Sequence, residues 1–131
     1  MQIKFLPKFF VLFLAAFLVA CSNSGPEAVA EKYTAAIINA DIDGFMSTIN
    51  VSEEEKAQMN MMRGKLEEMF KMAQQEAKAA GGLKSVKATK TTFSNNKKNA
   101  QVTLRINFKN GTSEETAVNM VDTKNGWKVS P

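Results

Sequence analysis

Histidine is absent from this chain of 131 residues, and cysteine and tyrosine each occur once, at Cys21 and Tyr33. Without an imidazole there is no Ser-His-Asp triad, no Cys-His dyad and no histidine ligand for zinc. A lone cysteine leaves no disulfide within the chain. Among the groups left to move a proton, Tyr33 and the aspartates Asp41, Asp43 and Asp122 are the candidates. Methionine is the other distinctive type. Six methionines fall between Met46 and Met72, and Met59 and Met62, like Met69 and Met72, stand at i, i+3, which puts two thioethers on one helix face. Thioethers suit Cu(I), but flexible apolar packing is the commoner use of methionine. With no histidine or second cysteine beside them, packing is the preferred reading, and no metal or cofactor is expected.

These residues must be positioned by local structure. Pro26 and Glu27 suit a first helical turn, with φ preset and an acid at the positive dipole end. Val29, Tyr33 and Ile37 recur every fourth residue and predict an apolar stripe over 27–39. Asp41 is placed to cap a short helix carrying Ile42, Phe45, Met46 and Ile49. Ser52-Glu53-Glu54-Glu55 is a capping box, and the helix it opens is expected to run to about Ala80. Met59, Met62, Leu66, Met69, Ala73, Ala77 and Ala80 form its stripe, Gly64 marks a bend or a close backbone approach, and Gly81-Gly82 ends it. The period then changes to two. Val86 and Ala88 lie in a threonine-rich strand reaching Phe93, and Ala100, Val102, Leu104, Ile106 and Phe108 alternate without a fault. Asn110-Gly111 signals a hairpin, with Thr116, Val118 and Met120 inward on the return, and Asn125-Gly126 turns into Trp127-Lys128-Val129. The order is three helices and then a four-stranded antiparallel meander, one α+β domain over 26–131.

Charge is unevenly divided. From Cys21 to Ala80 ten acids outnumber six basic residues, whereas from Gly81 to Pro131 nine basic residues outnumber three acids. Between Ala77 and Ser113 no acid occurs, while Lys84, Lys87, Lys90, Lys97, Lys98, Arg105 and Lys109 do. Arg105 and Lys109 alternate with the inward series and so share the outer sheet face with Gln101, Thr103 and Asn107. Lys87, Lys90, Arg105 and Lys109 are thus candidates for docking an anionic partner, against the plainer reading of a solvated face that resists edge aggregation. The set lacks interleaved aromatics for stacking, and nucleic acid is not an expected partner.

The first twenty residues have a different character. Lys4 and Lys8 precede an apolar run from Phe9 to Ala20, too short for the roughly 20 apolar residues a bilayer core requires but right for the apolar stretch of a secretory signal. The run ends in Leu18-Val19-Ala20-Cys21, which resembles the bacterial lipobox. The resemblance implies cleavage before Cys21, thioether attachment of diacylglycerol to its thiol, and a mature chain tethered through residues 21–25. Ser22 in place of Asp implies, in a Gram-negative cell, the outer membrane facing the periplasm. An ordinary buried thiol, or an uncleaved anchor over residues 1–20, is the alternative.

The helical order, the turn Ala36-Ile37-Ile38-Asn39-Ala40-Asp41 and the last hairpin Asn125-Gly126-Trp127-Lys128-Val129 resemble the nuclear-transport-factor-2-like cone. More narrowly, they resemble bacterial lipoproteins with a domain of unknown function labelled lumazine-binding. The likeness covers about Pro26 to Pro131. Enzymes on this cone place an Asp or His base in the cavity opposite a Tyr or protonated acid. Here Asp41 and Asp43 are explained as cap and turn residues and Tyr33 as packing, so the expectation is a protein that is not an enzyme, with a cyclase- or isomerase-like activity as the outlying alternative. A cavity between the third helix and the concave sheet face would be lined by Tyr33, Phe45, Met59, Met62, Phe70, Leu104, Ile106 and Trp127, and a filled core is the competing expectation. The sequence thus points to a lipid-anchored envelope protein held to the membrane by its acyl chains. It is expected to act as a non-catalytic binding or interaction module for an envelope protein, or else as a carrier of a small apolar ligand. Pairing of two copies through their sheets is a further expectation.

Overall fold

The computed structural model describes residues 25–131; Leu18, Val19, Ala20, Cys21 and the rest of the expected leader lie outside the described residues. The elements are α1 (Pro26–Ile38), α2 (Ile42–Thr48), α3 (Glu53–Met61), α4 (Arg63–Ala79), β1 (Leu83–Phe93), β2 (Asn99–Phe108), β3 (Ser113–Thr123) and β4 (Gly126–Val129). The order is helices then meander, as expected, with one correction. The long third helix is two helices that meet at Met62, whose φ of −98° and ψ of 15° leave the α-helical region. Its N–H still donates to the Gln58 and Met59 carbonyls, and its own carbonyl accepts from Lys65 and Leu66, so the backbone is satisfied through the bend. Gly64 lies two residues on, where a β-carbon would meet nothing within 4 Å. Its effect is therefore lowered helix propensity and not a close approach.

Each helix start follows from its first residues. Pro26 opens α1 behind Gly25. The Asp41 carboxylate accepts from the Gly44 N–H at 3.0 Å and caps α2. At α3 the Ser52 hydroxyl accepts from the Glu55 N–H at 3.1 Å while the Glu55 carboxylate accepts from the Ser52 N–H at 2.8 Å. That second bond holds the Glu55 carboxyl below its ordinary range. The helix ends are also alike. At α4 the Gly82 N–H donates to Ala77 and the Gly81 N–H to Lys78, with Gly81 at φ +90°. At α1 the Asp41 N–H donates to Ala36 and the Ala40 N–H to Ile37, the same paired pattern, but the left-handed position is filled by Ala40 at φ +56°.

The four strands form one antiparallel sheet in the order β1-β2-β3-β4. Ala100, Val102, Leu104, Ile106 and Phe108 are all buried on its concave face, as the alternation predicts. Lys84 and Thr89 are extra residues at two irregularities where β1 shifts register against β2, which increases the local twist. Helix α1 lies across the concave face and contacts all four strands. Its most buried positions are Pro26, Ala30, Thr34 and Ile38 at fourfold spacing, together with Ala36, and the expected stripe of Val29, Tyr33 and Ile37 is half-buried beside them. Small side chains at Ala30 and Thr34 let the helix approach the sheet where Val102 and Leu104 are fully buried.

The cap at Ala40 yields a test. A non-glycine residue in the left-handed region carries a cost of roughly 1–2 kcal/mol. Ala40→Gly is therefore expected to stabilise the fold by about 1 kcal/mol, read from urea unfolding at unchanged slope, after the greater freedom of glycine in the unfolded chain is set against it.

Candidate functional site

The site is a consequence of a mismatch in length. Strand β4 pairs with β3 only from Met120 to Thr123, and the Ser130 N–H extends the contact to the Asn119 carbonyl at 2.8 Å. Among the described residues no strand lies along Ser113–Val118 on that side. The register places Glu114 opposite Ile106, Thr116 opposite Leu104 and Val118 opposite Val102, so all three face the concave side. Val118 is buried, yet Glu114 and Thr116 are exposed because the helical layer does not reach them.

An open groove results, of about 580 Å³, between the second half of α1 and the start of β3. Tyr33, Thr34, Ile37 and Ile38 form its helical wall, Ile106 and Val118 its floor, and the run from Glu114 to Asn119 its far rim, with Val129, Ser130 and Pro131 closing one end. The volume is in the range of ligand sites, several hundred Å³, but the groove is open and polar and apolar residues share its lining about equally. The polar groups are the Tyr33 phenol, the Thr34, Thr116 and Ser130 hydroxyls, the Glu114 and Glu115 carboxylates and the Asn119 amide. Burial raises the Tyr33 pKa above its ordinary value, so the phenol remains a proton donor through the neutral range.

Of the residues expected to line a cavity, Tyr33 and Ile106 are in this groove. Phe45, Phe70 and Leu104 are instead packed into the core, where Phe45 stacks tilted on Tyr33 with centroids 5.3 Å apart and meets Phe70 edge-on at 4.9 Å. These aromatics fill the space that a deep cavity would need. Met59 is half-buried against the same core, whereas Met62 is 56% exposed, and Trp127 sits at the other end of the sheet against Phe93, centroids 6.0 Å apart. Met61, Met69 and Met72 are also exposed, so the methionine stripe is core only in part. Among the described residues no group of three or more His, Cys, Asp and Glu side chains is placed to hold a metal.

The basic face is divided. Lys87 and Arg105 are cross-strand partners on the outer side, and Lys90 pairs with Thr103. Glu115, opposite Arg105 in the register, brings a carboxylate to within 3.6 Å of its guanidinium, so the acid missing from the neighbouring sequence is supplied by the next strand. Lys109 lies past the end of β2, in the turn. Its N–H donates to the Gly82 carbonyl, and its stem runs within 4 Å of where a Gly82 β-carbon would be, which corrects its expected place in the strand row. Apart from Tyr33 and Ile106, the groove residues had no expected site role; for Glu114 and Thr116 the available signal was the inward phase of β3, in which Thr116 was expected, since their chemistry is ordinary for a surface strand.

The comparisons agree with this geometry. A family model described as a domain of unknown function, DUF4878, matches residues 19–130. No curated protein matches the chain. Among solved structures, a crystal structure at 2.00 Å of a candidate NTF2-like transpeptidase from Campylobacter jejuni is similar, with a TM-score of 0.68 and 24% identity over 82% of this chain and 99% of that one. The fold is thus the nuclear-transport-factor-2-like one. The narrower lumazine-binding label finds no support in these matches. The expectation that the chain is not an enzyme is corrected: a protein of the same fold is described as a transpeptidase, so a non-catalytic role does not follow from the fold or from the absence of histidine.

Tyr33 supplies a direct check on the groove wall, being the only tyrosine of the chain. Its folded pKa lies above its unfolded one. Its contribution to stability is therefore full below the unfolded value, about 10, and is lost as pH rises through the folded value. Ultraviolet titration of the folded protein is expected to show phenolate forming at higher pH than in the urea-unfolded chain, with stability falling over that interval, and Tyr33→Phe is expected to remove both effects.

Proposed function

We propose, from the premise that the chain belongs to the DUF4878 family, that it is an envelope lipoprotein anchored through acyl chains on Cys21, and that it binds its ligand in the groove between α1 and the start of β3. The anchor is supported by the order of its signals: Lys4 and Lys8, the apolar run Phe9–Ala20, and Leu18-Val19-Ala20-Cys21 at its end. Each buried methylene contributes about 0.8 kcal/mol, so two or more acyl chains hold a protein durably where one does not. With Ser22 following the modified cysteine, the outer membrane facing the periplasm is the address this reading favours in a Gram-negative cell. No helix among the described residues is long and apolar enough to cross a membrane.

The observation that carries the binding role is the groove itself, since the centre of the cone is filled by Phe45, Phe70 and Leu104 and the open space lies at the β3 rim. A second reading, that the groove also transfers an acyl group, is favoured by the transpeptidase description of the Campylobacter jejuni protein. On that reading the Thr116 and Ser130 hydroxyls and the Glu114 carboxylate are the groups that would attend the chemistry.

Both parts are open to test. Cys21→Ser is expected to abolish incorporation of labelled fatty acid and to leave the precursor uncleaved; a cleaved and acylated form of that variant would refute the anchor. For the groove, native mass spectrometry of the full protein released in detergent from its own membranes is expected to show a retained ligand or a captured peptide. Thr116→Arg, which fills the groove from an exposed position, is expected to reduce capture at least tenfold with stability unchanged to about 0.5 kcal/mol. Capture unaffected by that variant would place binding elsewhere. Exchange of a labelled peptide lost in Thr116→Val or Ser130→Ala, with binding retained, would establish the catalytic reading.

A further inference from the structure

The rim of the groove is a strand edge, and its backbone carries information about the ligand. In β3 the Asp122 N–H donates to the Lys98 carbonyl at 2.8 Å and the Thr112 carbonyl just before it accepts from Phe108 at 2.9 Å, so even-numbered residues bond toward β2. Asn119 accepts from Ser130 on the opposite side, so odd-numbered residues bond away from β2. Along the uncovered stretch this leaves the N–H and C=O groups of Ser113, Glu115 and Ala117 directed to the open side, all three residues being exposed. The other sheet edges are occupied only in part, and β1, like β3 over this stretch, has no strand partner on its outer side among the described residues. The outer side of β4 is closed by the Asn50 N–H donating to the Val129 carbonyl at 2.8 Å, and on β1 the Ala88 N–H is taken by the Glu31 carboxylate at 2.9 Å. The start of β3 is thus a strand template beside the groove.

We infer that the ligand of this groove is an extended polypeptide segment bearing basic residues, which adds to the sheet as a strand along Ser113–Ala117. This rests on the groove reading above and gives the chemical class of what it takes. Main-chain bonds to Ser113, Glu115 and Ala117 supply affinity, and side chains of the added strand alternate between the two faces. Those pointing inward meet Tyr33, Ile37 and Ile106 and select apolar groups. Those on the outer side lie beside Glu115, which the Arg105 guanidinium already approaches to 3.6 Å, and the inner rim carries Glu114, so lysine or arginine at flanking positions is matched by Glu114 and, in competition with Arg105, by Glu115.

The same carboxylates disfavour a second copy in the register centred on Glu115. Two β3 edges paired antiparallel about Glu115 would set the two Glu115 side chains directly opposite each other and each Glu114 across from Thr116, beside the like charge. Like charges directly opposite in a sheet are destabilising, and acidic edge residues are a common guard against self-pairing. A basic strand removes the repulsion that an identical strand would create in that register.

The experiment is amide exchange by NMR on the full chain in detergent micelles at low salt. The probe is the blocked peptide acetyl-Val-Lys-Val-Lys-Val-Lys-Val-amide, with its glutamate counterpart as control. Binding of the lysine peptide is expected to slow exchange at Ser113, Glu115 and Ala117, with little change at Glu114 and Thr116, and to be at least tenfold tighter than binding of the glutamate peptide. Ala117→Pro removes one outward donor without touching the β2 ladder and is expected to weaken binding at least tenfold. Glu115→Gln is expected to reduce the preference for lysine while the exchange pattern persists. Shifts of the Tyr33 and Ile106 signals without protection of the edge amides would overturn strand addition and leave the groove as a binding site. No response in either set would overturn the groove reading as well. Protection of the same amides by raised protein concentration alone would identify a second copy as the occupant and overturn the basic partner.

Discussion

Two carboxylates on α1 determine where that helix lies, and the rest of the molecule follows from its position. Glu31 accepts from the Ala88 N–H at 2.9 Å, and Glu27 accepts from the Thr91 hydroxyl at 2.6 Å. Both bonds draw the helix toward β1, an edge strand whose outward Ala88 amide would otherwise lack a strand partner. A buried or half-buried backbone donor must find a partner, and a charged acceptor makes the stronger bond. Ala30 and Thr34, being small, allow the helix to settle close to Val102 and Leu104. A helix of this length held to the β1 side cannot also cover the start of β3, and the groove is the space it leaves.

The strand alternation was the most legible part of the sequence. Along β2 every second residue is apolar and every one of them is buried, because a strand paired on both sides has only two faces to choose between. The caps were legible for a similar reason: Asp41 and Ser52 act on amides three residues away, and nothing distant can alter that. The stripe on α1 was less so. Val29, Tyr33 and Ile37 carry the apolar area, yet Ala30 and Thr34 form the line of closest approach, and neither type signals burial on its own.

What escaped the sequence was which neighbour covers which face. Met62 and Met69 have the spacing of a buried stripe and remain exposed, because the bend at Met62 separates α3 from α4 and α4 seats only Leu66, Phe70 and Ala77 against the rest of the protein. Thr116 and Glu114 have the inward phase of β3 and are nevertheless open to solvent, because the helix above them ends its contact at Val118. Arg105 lies in a long stretch without acids and still finds Glu115, a partner that only strand register supplies. Periodicity describes one element at a time, whereas a groove is defined by two elements and the gap between them.

The placement of the groove along α1 also relates the two halves of the proposed function. The tether from Cys21 would enter the fold at Pro26, and the helical wall of the groove begins at Tyr33 and ends at Ile38. At 1.5 Å per residue the wall lies roughly 10–18 Å along the helix from the entry point. On the proposed anchor, a domain held at Pro26 by a few residues of tether would carry its open strand edge at the opposite end of the helix. There an extended segment can approach from the aqueous side without competing with the lipid surface. Because the bonds of Glu27 and Glu31 fix the helix against β1, the distance from Pro26 to the edge is set by a rigid element.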